Sequence, residues 1–186
     1  MARTPSNMLD LNTQAPNFTL LDTVSNTIVS LSELKGTKAT VIMFICNHCP
    51  FVIHVNHELV KLANDYKQKD IAFIAISSND VENYPQDGPD KMQQHAQDNH
   101  YPFPYLYDET QEVAKAYDAA CTPDFFVFND QLTLQYRGQL DDSRPGNDIN
   151  VTGKDIRNAL DSILHNLPVS DIQKPSIGCN IKWKNT

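Results

Sequence analysis

Cys46 and Cys49, two residues apart, stand at the end of an apolar run, Val41-Ile42-Met43-Phe44-Ile45. A thiol placed one helical turn from another can attack a mixed disulfide formed on its neighbour, so such a pair can cycle between dithiol and disulfide. The run itself reads as a strand buried on both faces of a sheet, and the apolar-periodic stretch 51–67 after it reads as a helix. Cys46 is therefore expected at the helix N-terminus, where unpaired N–H groups and the helix dipole favour a thiolate. Cys46 is the expected nucleophile, the more exposed of the two, and Cys49 the resolving thiol. His48 lies between them and can donate to the Cys46 thiolate, lowering its pKa and making the disulfide more easily reduced.

Cys-x-x-Cys also opens many zinc sites, but a structural zinc needs two more ligands, and the remaining cysteines, Cys121 and Cys179, are single. His54 and His57 could complete such a site only if they turned back toward the first turn of their helix. No metal is therefore assigned. Cys121 reads as a small buried filler or a third redox thiol, and Cys179 as a tail residue that docks or exchanges. Arg137, Asp141 and Asp142 read as surface groups.

These residues need elements to position them. Of the 186 residues, 15 are Lys or Arg and 23 Asp or Glu, a formal charge of −8 that argues against nucleic acid or anionic lipid as main partner. No stretch is long and apolar enough to span a bilayer, and residues 1–14 lack the apolar core of a secretory signal, so a cytoplasmic setting is expected. Residues 1–14 read as a polar, poorly ordered arm. A hairpin over 18–30 follows, with its turn near Ser25-Asn26, then a helical turn at 31–36 closed by Gly36. The central strand, 39–46, and the helix at about 50–68 lead to a second buried strand at 71–76, making a βαβ unit. Helices are expected near 90–99 and 110–119, an antiparallel strand pair at 124–129 and 132–137, and a last helix over 153–166 capped by Thr152. Residues 168–186 form a tail that carries Cys179 and the single tryptophan, Trp183, and is expected to dock on the domain formed by residues 15–167.

Over residues 15–185 the chain resembles the thioredoxin superfamily, and within it the redoxin branch of alkyl-hydroperoxide-reductase-like proteins. The resemblance rests on Ala15-Pro16-Asn17-Phe18-Thr19-Leu20, on Leu31-Ser32-Glu33-Leu34-Lys35-Gly36, on the Cys46-Asn47-His48-Cys49 motif and on Thr122-Pro123 opening a strand before a hairpin. It implies a thioredoxin-like α/β fold, a central mixed sheet flanked by helices with an N-terminal hairpin extension. It also implies a cis-proline at Pro123 facing the dithiol, with the backbone of Thr122 open to pair with substrate.

Two departures qualify the resemblance. The peroxidase pattern Pro-x-x-x-Thr/Ser-x-x-Cys, placed on Cys49, finds Ile42 and Cys46 where proline and a hydroxyl belong. Thr40 replaces the buried acid that thioredoxin carries six residues before its first cysteine. The reading is a thiol-disulfide oxidoreductase that needs no cofactor beyond the Cys46–Cys49 disulfide. It acts on a protein or small-molecule disulfide and is regenerated by an external thiol reductant. The rivals are a peroxide-reducing antioxidant on the same cysteines, and a metal-handling or partner-binding module of the same fold.

Overall fold

A computed structural model describes residues 3–185. In chain order the elements are β1 (Thr4–Pro5), β2 (Thr19–Asp22), β3 (Thr27–Ser30), α1 (Leu31–Leu34), β4 (Ala39–Phe44), α2 (Pro50–Tyr66), β5 (Ile71–Ser77) and α3 (Pro89–Asp98). There follow β6 (Tyr105–Tyr107), α4 (Glu112–Ala116), β7 (Cys121–Thr122), β8 (Asp124–Asn129), β9 (Leu134–Gly138), α5 (Lys154–Leu164) and β10 (Ile177–Asn180). No described helix is long and apolar enough to cross a membrane.

The apolar run becomes the middle of a seven-stranded mixed sheet, ordered β3-β2-β6-β5-β4-β8-β9. All six residues of β4 are buried, because helices cover one face of the sheet and a second apolar layer covers the other. The pleat sends alternate side chains to opposite layers. Val41 and Met43 pack with Val52, Val55, Leu59 and Leu62 of α2 and with Ile156 and Leu160 of α5. Ile42 and Phe44 pack with Tyr117, Phe126, Phe128 and Leu31 on the far face. β4 pairs parallel with β5 and antiparallel with β8, so the strand that leads to the dithiol is held on both edges. The expected hairpin forms as β2 and β3, with Asn26 at φ +55 in its turn, and β2 adds the pair to the sheet along β6. This is the thioredoxin-like fold.

Several expectations are corrected. Lys35, not Gly36, closes α1; Gly36 is required because a Cβ there would lie 2.1 Å from the Ala39 carbonyl oxygen. Gly153, not Thr152, is the N-cap of α5, and the work of a cap falls to buried Asp141, whose Oδ2 accepts the N–H groups of Thr152 at 2.6 Å and Gly153 at 2.7 Å. Asp141 is therefore not a surface group. The N-terminal arm is not loose. β1, β10 and β7 form a second, three-stranded sheet, and the Ser6 hydroxyl donates to Asp124 Oδ1 at 2.7 Å while Ser6 Oγ accepts the Ser176 N–H at 2.9 Å. Local polarity makes residues 1–14 read as an arm; residues 1 and 2 lie outside the described residues, and the partners that fix Thr4–Ser6 lie over a hundred positions away.

Candidate active site

β4 ends at Phe44, and Ile45 continues its pairing through an N–H bond to the Ile76 carbonyl at 3.0 Å. The chain then turns through 46–49 and enters α2. Pro50 is the first helical residue, where its missing N–H costs nothing, and Cys49 is the N-cap. The sequence expectation is corrected here, since Cys49 rather than Cys46 stands at the helix N-terminus. Neither thiol is on the surface, Cys46 being 1 % and Cys49 0 % exposed, so the expected exposure of Cys46 is corrected too. A tail strand, not visible in the local pattern, covers the site.

Pro123 follows a cis peptide bond, and Thr122 faces both sulfurs. Cys46 Sγ lies 3.4 Å from Thr122 Oγ1, and Cys49 Sγ 3.1 Å from the Thr122 carbonyl oxygen. The backbone of Thr122 is not open to substrate. β7 is paired antiparallel with β10, Cys179 opposite Thr122 and Asn180 opposite Cys121, which leaves Thr122 3 % exposed. The same pairing sets Cys179 Sγ 2.8 Å from Cys49 Sγ. Three sulfurs, Cys46, Cys49 and Cys179, thus form one cluster. Cys121 is apart from it; its thiol donates to the Pro123 carbonyl at 3.6 Å, and burial pushes its pKa up, the character of a packing residue.

The cluster favours a thiolate on Cys49. The Cys46 thiol donates to it, Cys179 and the Val52 N–H in the first turn of α2 add to that, and together they outweigh burial and bring Cys49 down to about 5. The contact with the Thr122 carbonyl suits only a protonated Cys49, but one carbonyl is outnumbered by these donors. Cys46 is pushed well above the ordinary thiol value, first by the hydrogen bond it donates to Cys49, then by burial and by the nearby Asp87 carboxylate. Cys179 is pushed up to about 12 by burial and by its bond to Cys49.

The close partner of His48 is a carboxylate and not the Cys46 sulfur. Its Nδ1 lies 2.7 Å from Oδ2 of the fully buried Asp87, close enough for ion pairing although the N–H is not aligned for a directed hydrogen bond. Its ring stacks on Tyr84 with 5.7 Å between centroids. Asp87 also accepts the Asn47 N–H at 2.8 Å and the Asn79 amide at 2.8 Å, so it anchors the turn between the cysteines. Among the described residues, Cys46, His48 and Asp87 are the donors that could together hold a cation, their ligand atoms lying within 4.8 Å of one another. His54 points away from the pair, to Ser143 Oγ at 2.8 Å.

Sequence reasoning missed Asp87 and Asp124. Asp87 sits in a short 3-10 turn, Pro85–Asp87, that reads as loop, and nothing local marks it as buried. Asp124 directly follows Pro123, and its burial pushes its pKa up to about 7, so a buried acid does border the cis-proline turn although Thr40 stands at the expected place.

The sequence profile of the AhpC/TSA family matches residues 11–137. The chain belongs to this family. Among solved structures it is similar to an uncharacterized conserved protein from Geobacillus kaustophilus, 61 % identical over 100 % of this chain and 98 % of that one, with a TM-score of 0.99. A hypothetical protein from Sinorhizobium meliloti 1021 is 44 % identical over 98 % of this chain and 100 % of that one, with a TM-score of 0.96. The thioredoxin domain of a thiol-disulfide oxidoreductase from Bacteroides vulgatus shares the fold at 18 % identity, covering 70 % of this chain and 89 % of that one, with a TM-score of 0.60. No curated protein matches this chain.

Proposed function

We propose that this redoxin is a thiol-disulfide oxidoreductase whose working couple is Cys46 and Cys49. The observation that carries the reading is the cluster at the start of α2, where a thiolate-favouring Cys49 at the helix N-cap holds the proton of Cys46 between them, opposite the cis-proline turn. The roles expected from the sequence, Cys46 as nucleophile and Cys49 as resolving thiol, are exchanged in this reading: the Cys49 thiolate attacks one sulfur of a substrate disulfide, expelling the other as a thiolate that takes up a proton. Cys46 loses its proton and attacks Cys49 of the mixed disulfide, releasing the second substrate thiol. The pair ends as a disulfide and the substrate as two thiols, so electrons balance without a cofactor. An external thiol reductant regenerates the dithiol, in a reducing compartment such as the cytoplasm. The substrate is a protein or small-molecule disulfide, and burial of both sulfurs favours the smaller kind unless the tail lifts.

Reduction of a small aromatic disulfide, with dithiothreitol as the electron source, tests this. Cys49→Ser is expected to abolish turnover and Cys46→Ser to lower it by removing the resolving thiol of the couple, while Cys121→Ser keeps it. Undiminished turnover in Cys49→Ser overturns the reading. Peroxide reduction is a second reading, favoured by the thiolate residing on Cys49, to which the family's peroxidase pattern assigns the reactive cysteine. Thiol-dependent peroxide consumption exceeding disulfide reduction would select it.

A further inference from the structure

The tail strand β10 occupies the place where a bound substrate strand was expected. It pairs antiparallel with β7 across the Thr122 backbone and presents a cysteine to the dithiol from there. Gly178 makes the approach feasible, because a Cβ on it would lie 1.9 Å from the Thr122 carbonyl oxygen. The Ser176 hydroxyl donates to the Pro123 carbonyl at 2.5 Å, and Ile181 is buried in the far-side core, so the strand is fastened on both sides of Cys179. Cys179 is held against Cys49 and not against Cys46. A packing cysteine needs no sulfur partner, as Cys121 illustrates. Cys46 and Cys49 are sealed from solvent, at 1 % and 0 % exposed, and Cys179, at 7 %, is the least buried residue of the cluster.

We infer that Cys179 is a third redox thiol, and that β10 is a built-in substrate strand which carries the disulfide from the buried pair toward the surface. The inference rests on the proposed Cys46–Cys49 couple. In the exchange, Cys179 loses its proton and its thiolate attacks Cys49 Sγ of the Cys46–Cys49 disulfide. The Cys49–Cys179 bond forms as the Cys46–Cys49 bond breaks, and Cys46 leaves as a thiolate that takes up a proton. One disulfide replaces another, with no net oxidation or reduction. An external thiol then attacks at Cys179, the least buried residue of the three, instead of having to reach Cys46 or Cys49.

The test is to oxidise the full chain with diamide, alkylate the remaining thiols and map the linkages by mass spectrometry. Cys46→Ser, with Cys46→Ala as a second version lacking the hydroxyl, is expected to lose two thiols as a Cys49–Cys179 bond, leaving Cys121 free. The unsubstituted chain is expected to yield both Cys46–Cys49 and Cys49–Cys179 linkages. If neither Cys46 variant closes a bond while Cys179→Ser still forms Cys46–Cys49, the third thiol is refuted and the proposed couple stands. If Cys179→Ser and the unsubstituted chain both leave Cys46 and Cys49 unlinked, the couple itself fails and the inference falls with it.

Discussion

Two residues set the pH behaviour of the site, and each makes its own prediction. Cys49 is held down to about 5, chiefly by the Cys46 thiol, against an ordinary thiol value near 8.5. The ultraviolet thiolate band of the reduced protein is therefore expected to be present at neutral pH, to disappear as pH falls through about 5, and to be absent from Cys49→Ser. A band that titrates near 8.5 would contradict the placement of the thiolate. Asp124 is the opposite case, since burial raises its carboxyl to about 7 against roughly 3.9 in an unfolded chain. Between these values the native state binds the additional proton, so this group makes stability fall as pH rises from about 4 to about 7, with no further loss above. Asp124→Asn carries no such charge. Its stability relative to the unsubstituted protein is expected to rise across that window by a few kcal/mol, at most about 4. Denaturant midpoints at several pH values check this, and parallel profiles would refute it. His48 shows where residue-level reading falls short. Its type and position between the cysteines were plain, but its partner Asp87 comes from a distant turn, and a partner decides what an imidazole does.

At the scale of elements, β4 and β10 do opposite work. β4 carries the strongest signal in the chain, five apolar residues in a row, and is found where the run predicts, buried on both faces. Ile42→Ala removes a fully buried side chain from the packed layer around Phe44 and Phe126, and is expected to cost about 2–5 kcal/mol in equilibrium unfolding. A loss under 1 kcal/mol would mean that the layer is not packed as described. β10 gives almost no local signal, four residues in a polar tail, and yet it closes the site. Gly178→Ala drives a methyl group into the rigid backbone of β7, so the strand must move away. Faster alkylation of Cys46 and Cys49 is expected, with a stability loss of about 1–3 kcal/mol. Unchanged alkylation would show that the strand is not what shields the sulfurs. Which cysteine caps α2 was misread for a related reason. The pattern locates the periodic part of α2 correctly, but which cysteine caps it depends on where Pro50 enters the first turn.

Among the described residues, the molecule is a sheet with two packed faces whose centre delivers the dithiol, and β10, paired with β1 on one side and β7 on the other, closes over it. The order of strands and helices could be followed in the sequence because each is a local pattern of apolar residues, from the β2–β3 hairpin to α5. The closure could not, because Thr4–Pro5, Ser6, Ser176 and Cys179 converge on Thr122 and Asp124 only after folding, and no periodicity joins them. The motif Cys46-Asn47-His48-Cys49 thus pointed to the sulfur cluster, while long-range pairing set Cys179 against Cys49 and covered the pair. The most direct test of the central claim is a redox titration of the full chain in graded mixtures of reduced and oxidised glutathione, with free thiols trapped and mapped at each step. A Cys46–Cys49 disulfide is predicted to appear and vanish reversibly while Cys121 stays a free thiol throughout. Cys46 and Cys49 both remaining free across the whole series, in protein that is still folded, would contradict the account.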